Sequence, residues 1–294
     1  MTLEEKQFEI DGVTFGMQCP IGLIDGGWNL GTPELQSQDS RNPNGDGQRF
    51  GRDTYSSQTW SWALFTNQRD EDTAWAVASQ LEKVWKNPDL REVPDAVTSL
   101  RYRVAGRTRM IYGRPRRFTP SVDNKSIQGR IDIQCDFTLA HPTYFGETEY
   151  SETVTVNPPI DLEAGLEVPF VPPFNTSPGA TERTYGITIG GDAPTPVRVE
   201  IHGLIEDPYV SVGDAVVSLR ETVTAENPVT ADPRPWVNSI TTADGAGVQV
   251  APRETRLSKL WLPPGDHAVV LRGFSATGTA YAVLRWQDAY ETPR

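Results

Sequence analysis

From Ile127 to Leu139 apolar and polar residues alternate without a break. Ile127, Gly129, Ile131, Ile133, Cys135, Phe137 and Leu139 fall on one side, and Gln128, Arg130, Asp132, Gln134, Asp136 and Thr138 on the other. Side chains of a strand point alternately to opposite faces, so the pattern predicts one long strand with a buried and a wet face. Partners are visible upstream. Gln58 to Thr66 places Trp60, Trp62 and Leu64 at alternate positions, and Ser99 to Val104 does the same with Leu100, Tyr102 and Val104. Arg107 to Tyr112 follows the Ala105-Gly106 break as the return of a hairpin. One segment carries a different period. Asp70 to Lys86 has Trp75, Ala78, Leu81 and Trp85 three to four apart, acids at its start, and Asn87-Pro88 at its end. That spacing predicts a helix over 70–86 with one apolar stripe packed on the sheet.

Beyond residue 150 the helical period disappears. Between 157 and 180 the chain is broken by Asn157-Pro158-Pro159, Pro169, Pro172-Pro173 and Pro178-Gly179, which reads as a linker followed by an arm-like first strand. Candidate strands then follow at Thr184 to Ile189, Val197 to Ile201, Ala215 to Arg220, Trp236 to Thr241, Gly247 to Ala251, Leu257 to Leu262, His267 to Arg272 and Thr279 to Trp286. Turn signals separate them, among them Gly190-Gly191, Glu206-Asp207-Pro208 and Pro263-Pro264-Gly265. Many short strands at this spacing predict a β-sandwich of jelly-roll type. The expected organisation is mainly β. An N-terminal domain over 1–150, a β-sandwich or split barrel carrying the single helix, precedes a Pro-rich linker over 151–180 and a second β-sandwich over 181–294.

Composition narrows the function classes. With 25 Gly and 24 Pro in 294 residues, turns between short strands are favoured over long helices, while 8 Trp and 10 Phe supply apolar mass enough for packed cores. The formal net charge is −12 and both halves are acidic, so phosphate-driven nucleic-acid binding is not expected. No run of about 18 apolar residues is available to span a bilayer. The polar opening from Met1 to Ile10 has no basic start or apolar signal region, which points to a protein made and kept in a cytosol, or leaving it by lysis. The cysteines, Cys19 and Cys135, leave disulfide or redox roles secondary in such a compartment, with Cys135 on the apolar side of its strand.

Reactive constellations are scarce. His141, His202 and His267 have no metal-ligand spacing with each other or with cysteine, and strand-end or solvated histidines are the simpler account. No nucleophile elbow, P-loop or dinucleotide fingerprint occurs. The Asp39-to-Gly47 run looks superficially like a calcium loop, but it lacks alternating acids and a closing Glu, and reads as a flexible polar loop. Carboxylates are plentiful enough that a glycosidase pair is not excluded by residue type alone. No catalytic residue, metal site or cofactor is therefore expected. One charge cluster stands out: Arg101, Arg103, Arg107, Arg109, Arg114, Arg116 and Arg117. On a hairpin these would alternate onto the face opposite Leu100, Tyr102 and Val104. They form either a solvated face paired with local acids or a docking face for an acidic neighbour, such as another copy of the chain.

The order of these features resembles a known family. An N-terminal β domain with one helix leads into a long alternating strand, then the exit His141-Pro142-Thr143-Tyr144-Phe145-Gly146. The later landmarks are Pro196 to Gly203, Leu262 to His267, and Gly278 to Trp286 with Asp288-Ala289-Tyr290. The arrangement is similar to the distal tail protein of long-tailed, non-contractile phages, in the minor tail protein form carried by phages of actinobacteria. The resemblance implies a galectin-like C-terminal sandwich and a virion component at the tail tip. It further implies a homo-oligomeric ring of six that joins the tail-tube protein to the tip hub protein, with the tape-measure protein as a further neighbour. It supplies no catalytic residues. A conduit for DNA also gains from a lumen that does not hold the polymer by charge. The rival reading is a carbohydrate-binding adhesion module, in which Trp236, Trp261 or Trp286 would stack on sugar rings. A third, an envelope hydrolase, lacks any recognisable nucleophile.

Overall fold

The computed structural model describes residues 2–156, 183–251 and 253–294. The chain is mainly β, as its patterning predicts, and forms two compact units. One comprises Met1–Glu147 together with Tyr290–Arg294, and the other Thr148–Ala289. The Pro-rich segment read as a linker lies, from 157 to 182, outside the described residues.

The first unit begins with β1 (Gln7–Ile10), β2 (Val13–Gly16) and β3 (Ile21–Asn29). An excursion follows, containing β4 (Leu35–Gln36), β5 (Ser40–Arg41), β6 (Gln48–Arg49) and β7 (Thr54–Tyr55). Next come β8 (Thr59–Thr66), α1 (Glu71–Trp85), the short α2 (Pro88–Glu92), β9 (Thr98–Val104), β10 (Arg107–Pro120), β11 (Asp132–Leu139) and β12 (Tyr144–Thr155). β12 starts in this unit and ends in the other. All ladders are antiparallel. β10 is shared among three of them: Arg107 to Gly113 pair with β9, Arg109 and Met110 also pair with Gly146 and Phe145 of β12, and Gly113 to Pro120 pair with β11, with a register shift between Pro115 and Phe118. The change of partner at Gly113 lets one strand serve both the β2-β1-β9 and the β11-β8-β3 sides, and the bulge beyond it bends and twists the β11 half.

Between these sides lies an aromatic core. The Phe8 ring sits 5.3 Å from Phe15, 5.1 Å from Trp28 and 5.5 Å from Trp62, mostly edge to face. Trp60 meets Tyr102 at 4.9 Å, and Trp62 meets Trp85 of the helix at 6.1 Å. α1 forms where its spacing predicts. Asp70 is the N-cap, its carboxylate accepting from the Thr73 amide at 2.8 Å, and that bond holds its pKa below the ordinary carboxylate value. Ala74, Ala78, Leu81 and Trp85 are buried, while Trp75 packs at the margin. Pro88 ends the helix and opens α2 at its first position, where a missing N–H costs nothing.

The long strand expected from Ile127 is shorter than its pattern. β11 starts at Asp132; Ser126–Gln128 form a single 3₁₀ turn, closed by Gly129 in the left-handed region at φ 79°. Ile127 is 70% exposed. A turn closed through Gly129, whose amide bonds the Ser126 carbonyl at 2.8 Å, competes locally with strand pairing and takes these residues out of the ladder.

The second unit is a two-layer sandwich. Its strands are β13 (Tyr185–Ile189), β14 (Thr195–Pro196), β15 (Arg198–His202), β16 (Glu206–Val212), β17 (Ala215–Ser218), β18 (Val229–Asp232), β19 (Ser239–Thr242), β20 (Trp261–Leu262), β21 (Gly265–Phe274) and β22 (Tyr281–Tyr290). One layer runs β19-β18-β15-β22 and continues to the end of β12; the other runs β13-β21-β16-β17. Val154, Val199, Ile201 and Leu284 from the first layer meet Ile187, Val210, Val212, Val269 and Leu271 from the second. Three expectations shift. Glu206-Asp207-Pro208, a turn by composition, is a bulged strand start with Asp207 at φ 45° and a register shift before Tyr209. Leu257–Leu260 is a 3₁₀ turn, its two leucines three residues apart, rather than a strand. Gly247 to Ala251 contributes only isolated bridges, Thr241 with Gly247 and Leu219 with Val250.

These placements separate two kinds of apolar residue. Trp62→Ala is expected to cost about 3–5 kcal/mol, and Ile127→Ala under about 0.5 kcal/mol, both read from urea titrations. Comparable losses at the two sites would contradict the exposed turn.

Candidate assembly interface

The seven arginines divide by register. Val104 lies opposite Arg107 across the two-residue turn Ala105-Gly106, whose φ values are 52° and 75°. Arg109 is therefore paired with Tyr102 and Ile111 with Leu100, while Arg101 faces Met110 and Arg103 faces Thr108. Paired residues share a face of an antiparallel ladder. Arg109 thus sits on the apolar face and Arg101 and Arg103 on the other, so the single arginine face expected from alternation does not form. The reason is parity: a two-residue loop sets odd positions of one strand against even positions of the next.

Four of the seven are engaged within the chain. Arg101 pairs with Glu9 at 3.0 Å and also with Glu147. Arg114 reaches the carbonyls of Val93, at 2.6 Å, and Ala96. Arg117 pairs with Asp136 at 3.1 Å. Arg109, only 7% exposed, stacks on the ring of Tyr290 at 3.4 Å. Among the described residues Arg103, Arg107 and Arg116 have no side-chain partner; Arg107 and Arg116 are exposed and Arg103 is half-buried.

The excursion between β3 and β8 has no counterpart in the sequence reading beyond a polar loop. It is a hairpin arm. β4 pairs with β7 through Leu35–Tyr55 and Gln36–Thr54, and β5 with β6 through Ser40–Arg49 and Arg41–Gln48. The Asp39 carboxylate, read as part of a possible cation loop, instead accepts from the Gly51 amide and the Gln48 side chain, both at 2.8 Å. The base is fixed by buried Gln58, which donates to the carbonyls of Leu30 at 2.7 Å and Gly31 at 3.2 Å and accepts from the Tyr144 hydroxyl at 3.1 Å. Nothing from residue 31 to 57 is buried, and Leu35, Tyr55 and Phe50, the last 87% exposed, face solvent. A two-stranded hairpin without a core is marginal on its own.

Elsewhere the geometry offers little chemistry. Burial raises the thiol pKa of Cys135, and burial together with Glu4 raises that of Cys19, so neither is activated as a thiolate. His141 bonds Thr143 at 2.8 Å, with burial lowering its pKa; His267 bonds the Pro263 carbonyl at 2.8 Å; His202 stacks on Tyr281 at 5.0 Å. Among the described residues no three His, Cys, Asp or Glu side chains converge as metal ligands. The tryptophans proposed as sugar platforms are engaged. Trp286 is 8% exposed in the sandwich core with Tyr150 stacked on it at 5.9 Å. Trp261 donates to the Pro233 carbonyl at 3.1 Å, and Trp236 lies beside Arg234 at 5.8 Å.

The register separates structural from available arginines. Arg101→Ala should destabilise the first unit by about 1–2 kcal/mol, because Glu9 and Glu147 lose their counter-charge. Arg103→Ala should stay within about 0.5 kcal/mol, with both read from thermal melts at low salt.

No family model and no curated protein matches the sequence. Solved structures do match in fold. The crystal structure of the SPP1 Dit protein (gp 19.1), described as a paradigm of the hub adsorption apparatus in phages that infect Gram-positive bacteria, superposes with a TM-score of 0.50 at 10% identity. The match covers 96% of this chain and 98% of that one. Chains of the phage P2 baseplate in its activated conformation give 0.47 with Ca at 10% identity and 0.48 with Sr at 12%, each covering 95% of this chain and 97% of that one. The two-unit β architecture of this chain is thus the fold of the SPP1 Dit protein, shared over nearly the full length of both.

Proposed function

We propose that this chain is a structural component of a phage tail tip, a distal tail protein. In this reading it forms a ring, of six subunits as its sequence resemblance implies, that joins the tail tube to the tip hub. It is of the minor tail protein type carried by phages of actinobacteria, and works in the virion without covalent chemistry. The observation that carries the reading is the likeness in fold to the SPP1 Dit protein along 96% of the chain. Two features of the first unit support it. A closed ring needs two different complementary patches on each subunit, since its contacts are heterologous. The solvated arginines Arg103, Arg107 and Arg116 offer one patch, and the coreless arm from 31 to 57 offers the other. The tail tube, the hub and the tape-measure protein are the neighbours this role requires. The adhesion reading has less support, because the sandwich tryptophans are packed or bonded.

The test is the mass of the purified protein by native mass spectrometry, with particles imaged by electron microscopy. Closed rings with a central hole are expected at high concentration. Replacing residues 32–56 with a short Gly-Ser loop, or reversing Arg103, Arg107 and Arg116 to Glu, should leave folded monomers with unchanged melting. A strictly monomeric parent, alone and with tail-tube and hub proteins, would overturn the proposal; so would a parent ring indifferent to both changes.

A further inference from the structure

Residues Tyr290–Arg294 belong to the first unit although the residues before them, Thr148–Ala289, form the second. Contacts made by Tyr290 and Pro293 seat them. The Tyr290 ring packs against the aromatic core of the first unit and lies under the Arg109 guanidinium, 3.4 Å from carbon to ring centroid. Tyr102, fully buried, donates its hydroxyl to the Pro293 carbonyl at 2.9 Å. Arg109 is itself a buried cation on the apolar face, with no carboxylate and no acceptor for its Nε among the described residues. An uncompensated buried charge is costly. The group that faces this one is the electron-rich face of Tyr290, and a desolvated cation–π contact is stronger than an exposed one.

The residue just before this segment is held equally firmly on its own side. Ala289 is fully buried in the second unit; its amide donates to Thr195 Oγ1 at 3.1 Å, and its carbonyl accepts from the amides of Asp192 and Ala193 at 3.1 and 3.2 Å. The chain's other passage between units, at Glu147–Thr148, lies inside β12.

We propose that Tyr290–Pro293 is a latch, a short strap docked on a site of the first unit built from Arg109 and Tyr102. Seated, the strap gives the buried Arg109 cation a ring face and adds Tyr290 to the first unit's aromatic core; released, it leaves that cation uncompensated among the described residues.

The experiment is hydrogen exchange by mass spectrometry on the full chain, comparing Tyr290→Ala, Tyr290→Phe and Arg109→Met. Tyr290→Ala should speed exchange over residues 290–294 at least tenfold while the sandwich strands β16 and β21 stay protected. Tyr290→Phe keeps the ring face and should stay within about twofold of the parent. Arg109→Met removes the cation while filling its space, and should speed exchange over the same residues; it decides the matter if Tyr290→Ala unfolds the first unit. Unchanged protection of 290–294 in both Tyr290→Ala and Arg109→Met would overturn the latch, as would equal loss in Tyr290→Phe and Tyr290→Ala.

Discussion

The first unit depends on the burial of large aromatic rings between two sides of one continuous antiparallel ladder system. Phe8 alone meets Phe15, Trp28, Trp62 and Tyr102, residues contributed by β2, β3, β8 and β9. Rings of this size bring most of the apolar area of a small core and lock their neighbours through edge-to-face geometry. The helix is recruited to the same cluster by Trp85, whose indole N–H donates to the Asp136 carbonyl at 3.1 Å. β10 makes the arrangement feasible, because one strand that passes from the β9 ladder to the β11 ladder at Gly113 joins the two sides without an extra connection. The sandwich of the second unit solves the same problem with aliphatic side chains, Val and Ile from facing layers, and needs no helix.

Much of this was legible because period-two patterning is a direct consequence of pleating. Trp60, Trp62 and Leu64 on β8, and Ile133, Cys135, Phe137 and Leu139 on β11, all point inward as written. The helix was equally plain from its stripe and its Asp70 cap. What escaped the pattern did so for identifiable reasons. β1 and β2 have four residues each, too few for a period to register. Ile127 kept the alternation but lost the pairing to a turn closed by Gly129. Asp207-Pro208 carried a turn signal that a bulge uses equally well.

The candidate interface was less legible than the fold. Alternation assigns faces within one strand, whereas the face shared by two strands depends on the residues in the loop between them, and the Ala105-Gly106 turn reversed the expected assignment for Arg107 and Arg109. The partners of Arg101, Arg114 and Arg117 are distant in sequence or are backbone carbonyls, which no composition reveals. The arm was hidden for the opposite reason. Its apolar residues, Leu35, Phe50 and Tyr55, follow no period because no face of the hairpin is buried. The net charge of the chain as a whole, −12, favours solubility through mutual repulsion.

The exposed hairpin between residues 31 and 57 has a thermodynamic consequence for the proposed assembly. Its few ladder pairs are not tied to the aromatic core, so it can open and close without the protomer unfolding, at the low end of the local stability scale. If closure of the hairpin is required for docking, the observed association constant is the intrinsic one multiplied by the closed fraction. In the proposed ring, then, anything that stiffens that hairpin would strengthen association without adding a contact, and anything that loosens it would weaken association while leaving the rest of the chain intact.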